Sequence, residues 1–131
     1  MTPEESEEAV RLLKAAHADL RAAKLLAAHD DQANAVVGFH AQQAVEKAIK
    51  AALVASGMEI PYTHDLRFLL DVVADHNISA PQSVAEADWL TPWAVAARYG
   101  TSEASLDRKL AVAVAEAAVN WADVVVDRSV G

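Results

Sequence analysis

The sequence predicts an all-α fold, an up-and-down antiparallel bundle of four long helices plus one short or kinked helix, spread over residues 1–131 as a single domain. Three observations point there. Apolar residues recur at helical spacing over long segments, with no competing alternation of the kind a half-buried strand shows. The segments are separated by short breaks carrying capping, glycine and proline signals. The connections are short, which favours antiparallel neighbours.

The first helix starts at Thr2-Pro3-Glu4-Glu5. Thr2 is a cap, Pro3 suits the first helical position, and Glu5 completes a capping box. The helix runs to about Ala28. Ala9, Leu12, Leu13, Ala16, Leu20, Ala23 and Ala27 fall on one face, and Arg11, Lys14, His17, Arg21 and Lys24 make a basic stripe on another. That stripe reads either as a solvated face with Glu partners or as a patch for phosphate or an acidic partner.

His29-Asp30-Asp31 is a polar break in which either Asp can cap the second helix. This helix spans about Gln32 to Ser56 and stops at Gly57. Val36, Phe39, His40, Gln43, Lys47, Lys50 and Val54 share one arc. Ala41, Val45, Ala48, Ile49 and Ala52 form the other side, where alanine lets a neighbouring helix come close.

Pro61 blocks continuation, and Thr63 is the expected cap of a third helix with Asp65 in its first turn, where the helix dipole favours negative charge. Leu66, Leu69, Leu70 and Val73 give it an apolar face, and it ends near His76-Asn77. A fourth helix begins near Gln82–Val84. Thr91-Pro92 inside its pattern predicts a kink or a fresh start capped by Thr91, and Arg98-Tyr99-Gly100 closes it. Ser102 is the expected cap of the last helix, which runs to about Asp127. Its expected buried face is Leu106, Leu110, Ala113, Val114, Ala117, Trp121, Val124 and Val125, with Glu116, Asn120, Asp123 and Asp127 as an acidic outer strip.

Composition narrows the function. A hydrophobic fraction of 53% with 23% charged residues is that of a folded chain. A net charge of −8 argues against a broadly basic duplex-binding surface, although it leaves room for a local basic strip. With no cysteine, thiolate catalysis and cysteine-ligated metal are excluded. The acidic start MTPEESEEAV has no export signal, and no run of about 18 apolar residues occurs, so a cytoplasmic location without membrane contact is expected. Neither Glu-x-x-His nor His-Glu-x-x-His is present, so no metal and no cofactor is expected. Four glycines at 38, 57, 100 and 131 make no phosphate-binding loop.

One polar constellation remains. His40, Gln43, Lys47 and Lys50 share a face of the second helix, His64 stands at the start of the third, and Arg98 and Tyr99 end the fourth. Cations, an amide and a helix N-terminus are parts of a phosphate site, and a histidine moves protons. The alternative is structural: Glu46 and Lys50 as an i,i+4 pair, with Gln43 and Lys47 along a dimer seam.

GFHAQQAVEKAIKAAL, then G-x-x-x-P-x-THDLRFLL, then ARYG before a long alanine-rich helix, closely resembles the HEPN family (higher eukaryotes and prokaryotes nucleotide-binding), in order and spacing from about residue 7 to residue 125. The resemblance implies a helical bundle, usually a homodimer with a cleft between protomers. It implies a nucleotide- or RNA-associated role, often beside a minimal nucleotidyltransferase in a toxin–antitoxin-like pair. Its RNase members carry an Arg and a His four to six residues apart late in the domain, and here no histidine follows Arg98. The expectation is therefore a binding module, with nucleotide or phosphate at Gln43, Lys47, Lys50, His64, Arg98 and Tyr99, leaning away from an enzyme. One alternative is a metal-independent endoribonuclease with His40 or His64 as acid and base and Arg98, Lys47 or Lys50 as the phosphate clamp. Another is a structural dimeric adaptor without a ligand.

Overall fold

A computed structural model describes residues 1–95 and 105–130. Helix α1 is Pro3–Ala27 and α2 is Asn34–Ala55. Helix α3 is Leu66–Asp75, α4 is the single turn Gln82–Ala85, a 3-10 turn follows at Ala87–Leu90, and α5 is Arg108–Val130. The described residues contain no strand, so the all-α bundle stands. None of their helices is long and apolar enough to cross a membrane.

Helix α2 is the central rod and packs against α1, α5, α3 and the 3-10 turn. Its alanines explain how: Ala41, Ala44, Ala48, Ala51 and Ala52 are wholly buried, with Val45, Ile49 and Leu53 between them. Small side chains on the rod let its neighbours approach while the branched ones fill the gaps. Two contacts fix the directions. Arg108 at the start of α5 bonds Asn34 at the start of α2, and Val126 near the end of α5 clusters with Val54 and Ala55 near the end of α2. These helices are therefore parallel. Ala9, near the start of α1, joins the same cluster, so α1 runs antiparallel to both.

Several ends differ from expectation. The α1 capping box is present in full. Helix α2, however, starts two residues beyond the expected point, at Asn34. Asp30 and Asp31 thus stand outside the cap position, and Ala33 occupies it without a side-chain bond. The break is held instead from α5, by the Arg108 guanidinium on the carbonyls of His29 (3.0 Å) and Gln32. Asp65, not Thr63, caps α3: its carboxylate accepts from the amides of Arg67 and Phe68, while the Thr63 hydroxyl accepts from the amide of Asp65. Thr91 does break the fourth segment, but its hydroxyl accepts from the amide of Leu66 rather than capping a new helix. Asp107 caps α5 through the amide of Leu110. The expected cap Ser102 and the closing Arg98-Tyr99-Gly100 lie outside the described residues.

The core of α5 also differs. Leu110 and Val124 are 48% exposed and Ala113 is exposed, whereas Ala111, Ala115, Ala118, Val119, Ala122 and Val126 are buried. The expected face holds at Val114 and Trp121, which are buried, and at Leu106, Ala117 and Val125, which pack partly buried against the core, but the stripe facing α2 is mostly alanine that the expected face did not include. Close approach is most acute at Gly38, where an added Cβ would stand 2.5 Å from the Trp93 indole. Gly57, at φ +83°, ends α2 with the paired amide bonds of Gly57 to Val54 and Met58 to Leu53.

Candidate functional site

The polar arc of α2 lies between α1 and the loop before α3, and two carboxylates organise it. Asp19 of α1 holds His40 with one oxygen (Oδ1 to Nδ1, 2.9 Å) and Lys47 with the other (Oδ2 to Nζ, 2.6 Å). Glu46 of α2 repeats the pattern. Its Oε1 meets Nδ1 of His64 at 2.8 Å and its Oε2 meets Nζ of Lys50 at 3.0 Å. Each carboxylate thus clamps one imidazole and one ammonium.

An amide relay adjoins the second clamp. Gln42 donates to Glu46 Oε1 at 3.0 Å and reaches the His64 carbonyl at 3.5 Å, and Gln43 donates to the Gln42 carbonyl oxygen at 2.7 Å. Gln42 and Glu46 are buried, yet no buried side-chain polar atom among the described residues is left without a partner. A buried charge is tolerable on these terms, because both oxygens of Glu46 that lose water gain donors.

The arc therefore grades from a buried ionic interior to an open edge. Glu46 is 4% exposed in its side chain and Lys50 14%, while Lys47 is 30%, His40 28% and His64 67%. Both imidazoles turn Nδ1 to a carboxylate, which places the proton on that nitrogen and leaves Nε2 as the outward atom. The Phe39 ring stands edge-on to that of His40, with centroids 5.3 Å apart, and limits its rotation. Lys47 and Lys50 each retain donors beyond the one given to the carboxylate. Their charges, however, are balanced by Asp19 and Glu46.

Of the residues expected at the site, His40 and Lys47 meet on Asp19. Lys50 and His64 meet on Glu46, with Gln43 linked through Gln42. Arg98 and Tyr99 lie outside the described residues. The Glu46–Lys50 pair is present, as the structural alternative held, and forms one half of a larger cluster. Sequence reasoning missed Asp19 and Gln42 and gave Glu46 only its lysine. A signal existed for Asp19: it lies three residues after Ala16 and four before Ala23, on the buried stripe of α1, where an acid requires a partner.

The basic stripe of α1 is partly spent inside the molecule. Lys24 bonds Glu116 at 3.0 Å and His17 bonds Asp123 at 2.8 Å, both across to α5, while Arg11 pairs with Glu8. Among the described residues, no three His, Asp or Glu side chains are grouped to hold a metal ion.

Comparison with protein families gives a match to the model described as HEPN domain over residues 9–129, from the first third of α1 almost to the end of α5. No curated protein and no solved structure matches the chain.

Proposed function

This chain belongs to the HEPN-domain family, and from that premise we propose that it is a cytoplasmic nucleotide- or RNA-associated binding module, a single domain acting as a homodimer alongside a minimal nucleotidyltransferase partner. The observation that carries the reading is the pair of carboxylate-clamped His/Lys groups on one face of α2. A phosphate placed against this face would take hydrogen bonds from the remaining donors of Lys47 and Lys50 and from the Gln43 amide. Arg98 and Tyr99 complete the proposed set. With both imidazoles neutral, each clamp carries no net charge. The face is then selective for ligands that offer several acceptors at once, rather than for anions in general.

The test is ligand-dependent melting of the protein. ATP or a short single-stranded RNA is expected to raise the melting temperature with ligand excess, by about 2.7 kcal/mol of stability at 100 times Kd. Lys47→Ala should reduce the gain. The absence of any shift with nucleotides or RNA at millimolar concentration overturns the binding reading.

A second reading has one observation in its favour. An imidazole with Nδ1 on a carboxylate and Nε2 outward is the arrangement of a general acid or base, and this face holds two. In a metal-independent endoribonuclease, His40 or His64 would take the ribose 2′-hydroxyl proton while Lys47 or Lys50 steadies the phosphodiester. RNA cut in the presence of a chelator, with rates falling steeply in His40→Ala or His64→Ala, is the expected result. Unchanged rates in both variants would assign the cutting to a contaminant.

A further inference from the structure

We propose that the outward face shared by α1 and α5 is where a second copy of this chain docks; this rests on the homodimer reading and says which surface bears it. Helices α1 and α5 lie side by side and antiparallel. Their cross-links keep one register: from His17 to Lys24 is seven residues along α1, and from Asp123 to Glu116 is seven back along α5. The face they present is basic on one ridge and acidic on the other.

The ridges are not used up internally. On α1, Lys14 and Arg21 are exposed and bond to no described residue; on α5 the same holds for Asp127. Apolar side chains are exposed at both ends of the face. Val10 (38%) and Val124 (48%) flank a groove that Leu13 floors, and Leu25 (62%) stands exposed on α1 toward the other end. Exposed apolar groups rimmed by charge are the composition of a contact surface.

The pattern is self-complementary under one operation. A two-fold axis lying in this face and parallel to the helices sets α1 of one copy over α5 of the other at the same height, and the reverse by symmetry. Basic ridge then meets acidic ridge twice. On the observed register Lys14 comes level with Asp127 of the partner subunit, and Arg21 with Asn120 of the partner subunit, one turn from its Glu116. Of the charges left unpaired in one copy, Lys14 and Asp127 are those the second copy matches, while Arg21 meets an amide beside an acid that already bonds Lys24. A partner basic throughout would leave Lys14 and Arg21 facing like charge, and an acidic one would do the same to Asp127, so a second copy fits better than either.

The experiment is a light-scattering mass for the full chain and its variants, with circular dichroism to confirm that each is folded. Wild type is expected near twice 13.9 kDa. Val124→Asp, which puts a charge into the apolar end, is expected to give the monomer mass. Lys14→Glu is expected to raise the dimer dissociation constant about tenfold, the effect of one well-placed charge pair. Lys14→Glu with Asp127→Lys is expected to recover most of that loss, because the pair is restored with its sign reversed. A dimer unaffected in all three variants overturns this surface and leaves the homodimer reading standing, with the contact moved to other exposed apolar groups such as Phe68 and Trp89. A wild type that is monomeric at every concentration overturns both.

Discussion

Removing Glu46 should destabilise the protein far more than removing a surface acid, and the size of the effect follows from its surroundings. The Glu46 side chain is 4% exposed and accepts from three groups: Lys50, His64 and Gln42. In Glu46→Ala the ammonium of Lys50, only 14% exposed, loses its counter-charge. The wholly buried Gln42 amide keeps only the 3.5 Å contact to the His64 carbonyl. Breaking a buried ion pair from one side costs about 3–5 kcal/mol. With an unfolding entropy of about 2.1 cal/mol/K per residue over 131 residues, that is a fall of roughly 11–18 °C in Tm. The comparison variant is Glu46→Leu with Lys50→Met, which removes both charges and keeps the volume. It leaves the buried Gln42 amide short of a partner, about 1–3 kcal/mol, and the exposed His64 Nδ1 to water, so the double variant should be the more stable of the two. The assay is thermal and urea unfolding followed by circular dichroism. A Glu46→Ala protein melting within about 3 °C of wild type, or a double variant less stable than the single, would refute the buried-clamp account.

Three further predictions test the frame. Gly38→Ala forces a methyl against the Trp93 ring; overpacking of about 1–3 kcal/mol outweighs part or all of the roughly 1 kcal/mol that alanine adds to a helix, so a gain in stability of that full amount would sink the close-approach reading. Asp65→Ala should cost about 1 kcal/mol, as loss of a cap does, and Thr63→Ala less, because only Asp65 bonds the first-turn amides of α3; unfolding free energies in the opposite order return the cap to Thr63. Arg108→Ala should cost about 2–4 kcal/mol and speed hydrogen exchange of the amides at 28–33, since its guanidinium holds both carbonyls of that break. Lys at this position should not rescue it, having no fork of donors to span the same acceptors.

The parts of this molecule that were legible in its sequence are those decided locally. The capping box of Thr2 and Glu5, the stop at Gly57 and the apolar face of α3 each depend on residues within a turn or two. The arc of α2 bearing His40, Gln43, Lys47 and Lys50 was legible too, because helical spacing alone puts them together. What was hidden depends on residues far apart in the chain. Asp19 meets Lys47 only because α1 folds back on α2, and Arg108 reaches His29 only because α5 starts beside the end of α1. The alanine stripe of α5 was passed over for a physical reason as well. Alanine contributes little apolar area of its own, so its burial is decided by how near α2 comes, which periodicity in one helix does not specify.

Asp19 separates the two functional readings, because its carboxylate has opposite consequences for binding and for proton transfer. It neutralises Lys47 and orients His40 at the same time. In Asp19→Asn the shape is kept and the charge is lost, so the ammonium of Lys47 is free to act on an anion. If the face only binds phosphate, the variant should bind ATP or RNA as tightly as wild type or several-fold more tightly, since one like charge has left the site. If His40 works as an acid or base, the same change should slow RNA cutting by orders of magnitude. An amide at this place can present its nitrogen to Nδ1 and reverse the tautomer, which moves the basic lone pair away from the outward Nε2. Binding retained with cutting lost is the signature of a reaction through His40. Binding raised, in a protein that cuts no RNA before or after the change, is the signature of a module whose histidine serves as a hydrogen-bond donor. A loss of binding in a variant that still melts at the wild-type temperature would contradict both, and would mean that the Asp19 carboxylate itself serves the ligand, by contact or by holding Lys47 in place.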